Sequence, residues 1–238
     1  MPYGFPADAY RLQSVKICGT MSLADRDLAA EAGADYFGVL VDVGYSVRSL
    51  SLDQAKPLFE SPPVPGIVSL YGRSITRVRE VVEQLNPFAV QLLGHEPPET
   101  LASLKSVLAC EVWKSLHVPA RNRGTIDVEA MKALAEEYED SGADSILFTT
   151  VDTSGGTTRF STGMIGDWSL IRGLVAGRAV PAFLAGGLDT GNVISAIQAV
   201  KPEGIDVCSG VEISPGRKCP QKLATFFEAI APFRATRE

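Results

Sequence analysis

Few side chains in this sequence are equipped for chemistry, and their spacing limits what that chemistry can be. Four cysteines (Cys18, Cys110, Cys208, Cys219) lie far apart with no CxxC pair, and the two histidines, His95 and His117, make neither HxH nor HxxxH. No metal site or disulfide framework is implied, and reduced thiols are expected. Cys18 ends the apolar run Val15-Lys16-Ile17-Cys18 and is followed by Gly19, which lets the backbone turn close to a ligand. Such a thiol becomes a base or nucleophile when cations or a helix end lower its pKa; by position alone the reading as a buried structural cysteine comes first. Arg48, in Gly44-Tyr45-Ser46-Val47-Arg48, offers a planar fork for a carboxylate or phosphate, or is a surface arginine. Gln91-Leu92-Leu93-Gly94-His95-Glu96 brings a titratable His and Glu that read as loop residues. Leu184-Ala185-Gly186-Gly187-Leu188 and Ser209-Gly210-Val211-Glu212 leave backbone N–H groups open to an anion, a phosphate cradle in kind. Lys218, just beyond Pro215-Gly216, reads as a loop cap.

What positions these residues is a repeat. After a lead of about 13 residues, strand-like runs alternate with amphipathic stretches eight times. The pattern predicts strands over Val15–Cys18, Tyr36–Val41, Gly66–Tyr71, Phe88–Leu92, Val112–Leu116, Ser145–Thr149, Val180–Ala185 and Ile205–Ser209. Helices are predicted over Ser22–Ala32, Leu52–Phe59, Ile75–Leu85, Glu99–Val107, Val128–Glu139, Trp168–Val175, Asn192–Val200 and Lys218–Ile230. Near-continuous apolar strands separated by helices mean a parallel sheet covered on both faces, and eight right-handed crossovers can close it. The expected architecture is an α/β fold, a single (β/α)8 barrel over residues 14–238 with an N-terminal extension over residues 1–13. An open doubly wound sheet is the alternative, but no GxGxxG follows the first strand. In a closed barrel of this kind chemistry sits at the carboxyl ends of the strands, where Cys18, Arg48 and both glycine turns fall.

The 22 basic and 28 acidic residues are scattered, giving a net charge of −6, which argues against a nucleic-acid groove or a polybasic membrane patch. No apolar run approaches membrane-spanning length and the N-terminus lacks a signal-peptide pattern, so a cytoplasmic protein is expected.

Taken in order, these motifs resemble the phosphoribosylanthranilate isomerase family. The resemblance rests on Lys16-Ile17-Cys18-Gly19, Ser46-Val47-Arg48, Val90-Gln91-Leu92-Leu93-Gly94, Asp167-Trp168-Ser169, Leu184-Ala185-Gly186-Gly187-Leu188 with Asn192-Val193, and Asp206-Val207-Cys208-Ser209-Gly210-Val211-Glu212 with Gly216 and Lys218. It implies a (β/α)8 barrel that carries out an Amadori rearrangement in tryptophan biosynthesis without a cofactor. An acid protonates the ring oxygen to open the furanose and a cysteine thiolate removes the C2′ proton. The resemblance makes Cys18 the base, Arg48 the ligand of the anthranilate part, and Gly186, Gly187, Ser209 and Gly210 the phosphate cradle. Lys16, Gln91 and Thr149 then belong to the substrate site, and the protein is expected to be a monomer or homodimer acting on a small phosphorylated substrate.

The sequence departs from the family pattern where the acid belongs. Thr149 occupies the usual Asp position, Leu93 a usual His position, Phe160-Ser161-Thr162-Gly163 the place of Gly-Gly-Thr-Gly, and Cys219 that of an Asp. Asp152, three residues beyond Thr149, is either a displaced acid or a turn residue before Thr153-Ser154-Gly155-Gly156. Two functions stay open: an isomerase with Cys18 as base and Asp152 as acid, or a divergent relative that keeps the phosphate site for another phosphorylated ligand.

Overall fold

The computed structural model describes residues 10–154, 159–160 and 162–234. Eight parallel strands close a barrel: β1 (Ser14–Ile17), β2 (Tyr36–Val41), β3 (Gly66–Leu70), β4 (Ala89–Leu92), β5 (Glu111–Pro119), β6 (Ser145–Val151), β7 (Ala182–Ala185) and β8 (Gly204–Val207). Each strand pairs with its chain neighbours, and β1 closes the ring by pairing with both β2 and β8. Helices follow the strands in turn: α1 (Leu23–Ala32), α2 (Leu52–Phe59), α3 (Ile75–Leu85), α4 (Pro98–Lys105), α5 (Val128–Asp140), α6 (Trp168–Val175), α7 (Val193–Val200) and α8 (Pro220–Ile230). The expected (β/α)8 barrel is therefore the fold. No helix among the described residues is long and apolar enough to cross a membrane.

Local signals start and stop these helices where side chains can satisfy their free ends. The Ser22 hydroxyl accepts from the Asp25 N–H at the start of α1, and Gly33 closes that helix in a left-handed conformation at φ 110°. Ser51 and Gln54 form a reciprocal capping box at α2.

Strands buried on both faces make two apolar layers. The outer one lies between strands and helices, with Val39, Val68, Ile146, Leu174 and Phe226 among its fully buried members. The inner one plugs the barrel: Ile67, Ala89, Trp113, Leu147, Phe183 and Ala185 pack together, with the Trp113 and Phe183 rings 4.8 Å apart. Above this plug the inward side chains of β3, β4 and β5 turn polar: the Ser69 hydroxyl donates to Gln91 Oε1 (3.3 Å), and Gln91 Nε2 donates to the Ser115 hydroxyl (2.8 Å). The plug makes one end of the barrel solid and leaves the other, at the strand carboxyl ends, as the place for a site.

Three features differ from the pattern-based expectation. Strands β5 and β6 run to Pro119 and Val151 instead of ending at Leu116 and Thr149, because the ladder continues through His117–Thr149, Val118–Thr150 and Pro119–Val151. A short antiparallel ribbon, Glu212–Ser214 with Arg217–Lys218, precedes α8, so Lys218 is not its first residue. Part of the lead is structured: Leu12 is fully buried, its N–H donates to the Phe233 carbonyl (2.7 Å), and the Tyr10 hydroxyl bonds the Pro202 carbonyl.

Candidate active site

The strand carboxyl ends surround a cavity whose two sides differ in character. On the β8–β1–β2 side, Lys16 is fully buried and its Nζ lies 3.0 Å from Asp206 Oδ2, its ladder partner on β8. Burial works against that charge, but Asp206 and the Cys18 sulfur outweigh it and raise the Lys16 pKa. The pair is strongly anchored on one side only, since Asp206 Oδ1 is buried with no hydrogen-bond partner among the described residues.

Cys18 follows β1 and lines the cavity. The turn behind it needs Gly19: φ is +72°, and a Cβ there would stand 2.7 Å from both Arg48 Cδ and Cys208 Sγ. The glycine thus lets the ends of β1 and β8 meet the loop after β2. A hydrogen bond from the Cys208 thiol lowers the Cys18 pKa to about 7, helped by the charges of Lys16 and Lys218 against burial and Asp206. Cys208, as the donor and itself half-buried, is pushed the other way. Cys18 is the thiol of the pair that ionises first, so the reactive alternative for this residue is the one that the surroundings support.

Arg48 reaches the same corner. Its Nε and Nη2 donate to the two oxygens of Glu212 at 2.9 and 2.6 Å, a bidentate pair that leaves Nη1 without a partner among the described residues. Lys218, expected as a loop cap, is instead buried here: the ribbon folds it back so that Nζ bonds Glu212 Oε1 (3.1 Å) and the Cys18 carbonyl. Burial disfavours the Glu212 charge, but Arg48 and Lys218 hold its pKa below the usual range.

The β4–β6 side is less ionic. Leu93, Thr149 and His117 line it, and the Phe160 ring stacks on Tyr45 at 4.7 Å and 24° above them. His117, which the sequence reading did not weigh as a site residue, stands 5.0 Å from Phe160 and 5.2 Å from His95, ring centre to ring centre. Burial, then His95 and Lys114, lowers its pKa to about 4, so its imidazole is neutral near pH 7. His95 itself is exposed.

Asp152 is not brought to the cavity. Its Oδ1 accepts from the Ser154 N–H (2.9 Å) and hydroxyl (2.7 Å), and its Oδ2 pairs with Arg159. These bonds, the Ser154 N–H foremost, hold its pKa below the usual range, which suits a turn-forming carboxylate and not a proton donor. Lys16 also stays beneath the cavity wall, whereas Arg48, Gln91 and Thr149 line it. Gly155, Gly156 and Ser161 lie outside the described residues.

The glycine turns after β7 and β8 form one continuous edge. Gly186 and Gly187 have φ of +98° and +65°, and a Cβ on Gly210 would stand 1.9 Å from the Leu188 carbonyl oxygen. Asn192 Nδ2 donates to the Gly187 carbonyl (2.7 Å) and its Oδ1 accepts from the Asp189 N–H (3.0 Å), so Asn192 provides no side-chain cap for α7. A shallow groove lined by Gly187, Ser209 and Gly210 adjoins the cavity at this helix start. Gly186, Gly187, Ser209 and Gly210 are therefore brought together, with the geometry of an anion cradle.

Comparison with known proteins identifies the family. The family model described as N-(5′-phosphoribosyl)anthranilate isomerase matches residues 15–229. The N-(5′-phosphoribosyl)anthranilate isomerase of Methanocella arvoryzae is 36% identical over 219 residues, 91% of this chain and 97% of that protein. That of Natronomonas pharaonis is 34% identical over 218 residues, 90% and 96% of the two chains. Among solved structures, monomers generated from the dimeric phosphoribosylanthranilate isomerase of Thermotoga maritima superpose with a TM-score of 0.73 at 30% identity, covering 92% of this chain and 98% of that one. The Pyrococcus furiosus isomerase gives 0.76 at 27% identity, covering 92% and 99%. A match that runs from β1 into α8 and takes in the Cys18 corner and both glycine turns places this chain in the N-(5′-phosphoribosyl)anthranilate isomerase family.

Proposed function

We propose that this protein is a cytoplasmic isomerase of tryptophan biosynthesis that converts N-(5-phosphoribosyl)anthranilate to the carboxyphenylamino-deoxyribulose phosphate. The observation that carries the reading is the Cys18 corner: a thiol of lowered pKa, beside Lys16 and Cys208, at the mouth of a barrel whose β7 and β8 turns make an anion cradle. The divergent-ligand alternative gains nothing from the relatives named above.

The roles follow from what each group has left to offer. Gly186, Gly187, Ser209 and Gly210 take the phosphate, which fixes one end of the substrate. Arg48 keeps Nη1 for the anthranilate carboxylate while Glu212 holds the other edge of the fork in place. Between those anchors the ribose lies across the mouth, and the Cys18 thiolate takes the C2′ proton. Lys16 acts through Cys18 by favouring its thiolate, and Gln91, whose amide is committed to Ser69 and Ser115, shapes the floor. Thr149 stands at the mouth with a hydroxyl that binds but does not act as a carboxylic acid. The barrel over residues 14–238 supplies this whole set, as a monomer or homodimer.

The test is turnover of phosphoribosylanthranilate formed in situ from anthranilate and phosphoribosyl pyrophosphate, followed by its fluorescence. Decay well above the uncatalysed rate is expected. A folded protein that leaves that rate unchanged contradicts the reading.

A further inference from the structure

We propose that His117 is the proton donor for ring opening, taking over, from the neighbouring strand, the task of the acid that Thr149 replaces. The inference rests on the isomerase reading and deepens it.

Three observations lead to His117. First, the groups lining the cavity that carry a transferable proton are few, and most are committed. Arg48 is held by Glu212, Asp206 is paired with Lys16, Cys208 serves Cys18, and burial makes the Tyr45 hydroxyl a weaker acid; Asp152 is turned into its own loop outside the cavity. Second, His117 is the ladder partner of Thr149 on β5, so it stands beside the position where the family pattern has its acid. Third, in a ring of eight strands β5 lies opposite β1. A furanose held across the mouth by its phosphate and carboxylate presents C2′ toward Cys18 and its ring oxygen toward the far wall.

The step balances. As the C1′–O4′ bond breaks, the lone pair on the anthranilate nitrogen forms a C1′=N bond, and the O4′ electron pair takes the imidazole N–H proton. Cys18 then removes the C2′ proton, giving a neutral enolamine that tautomerises to the ketone. His117 regains its proton from solvent, with the exposed His95 ring 5.2 Å away on the route, and Cys18 releases its own. A neutral imidazole is suited to this, since an uncharged histidine serves as the electrophile in another isomerase of the same fold.

The test compares wild type with His117→Ala, His117→Gln and the double variant Thr149→Asp/His117→Ala. Loss of a general acid lowers rates by about 10²–10⁴-fold, so kcat of His117→Ala is expected to fall by at least about 10²-fold with KM changed by no more than about threefold. His117→Gln, which keeps bulk and an N–H without a transferable proton, is expected to fall similarly. Added imidazole or the Thr149→Asp exchange is expected to restore turnover at least about tenfold, which a merely structural role of His117 would not allow. The proposal is overturned if His117→Ala keeps kcat within about threefold of wild type, or if its loss responds neither to imidazole nor to Thr149→Asp. An inactive wild type would overturn the isomerase reading and this proposal with it, whereas an active wild type with an unaffected His117→Ala overturns this proposal alone.

Discussion

The two sides of the barrel mouth are built on different principles. The β8–β1–β2 side is ionic: Lys16 pairs with Asp206, Glu212 holds Arg48 and Lys218, and Cys208, Lys16 and Lys218 bias the Cys18 thiol toward its thiolate against burial and Asp206. On the β4–β6 side the cavity lining is uncharged, made of Leu93, Thr149, His117 and Phe160 with their ring contacts, while the Lys114–Glu96 ion pair (2.8 Å) is buried and does not line the cavity. The difference teaches that base and acid in such a site can be set up independently. A base is held as its anion by nearby positive charge and a donated hydrogen bond, whereas a neutral proton donor needs only an uncharged lining at the reacting atom.

Several changes would break or sharpen that contrast. The largest effect is expected for Cys18→Ala, which removes the base: kcat should fall by about 10³-fold with the barrel intact by circular dichroism. A rate within a few-fold of wild type would dissolve the functional meaning of the charged side. Next comes Lys16→Met, which leaves Asp206 as an unpaired buried carboxylate. Removing one partner of a buried pair costs about 3–5 kcal/mol, measurable by urea unfolding. The same change removes a positive charge beside Cys18, so the pH–rate profile should move to higher pH. A stability and profile both equal to wild type would show that the ion pair contributes nothing. The smallest effect is expected for Asp152→Asn, whose carboxylate serves the Ser154 turn and an exposed Arg159: turnover should stay within about threefold, less than the effect of losing a general acid. A loss as large as that of Cys18→Ala would return the acid role to Asp152.

The fold was legible because parallel strands covered on both faces must be apolar nearly throughout, and the eight runs from Val15 to Val207 meet that demand. The charged side was partly legible too, since Cys18 and the glycine turns directly follow strands and Arg48 lies in the loop after β2. What was hidden depended on contacts across the sequence. The apolar pattern ends the fifth strand at Leu116 and so cuts the inward alternation Trp113, Ser115, His117 before its last member; the period of two is the available signal. Lys218 was hidden by a ribbon too short for periodicity to reveal, which swings its ammonium under Cys18. For Asp152 the sequence offered a turn and an acid equally, and the bonds from Ser154 and Arg159 decide for the turn.

The most direct test of the charged side is the pH dependence of Cys18 alkylation by iodoacetamide, followed by mass spectrometry of the Cys18 peptide in the native protein. Because the thiolate is the reacting species, the rate should rise with pH and reach half its plateau near the lowered pKa of about 7. A half-rise at about 8.5 or above, the range of an unperturbed thiol, would contradict the claim that this corner makes Cys18 a base.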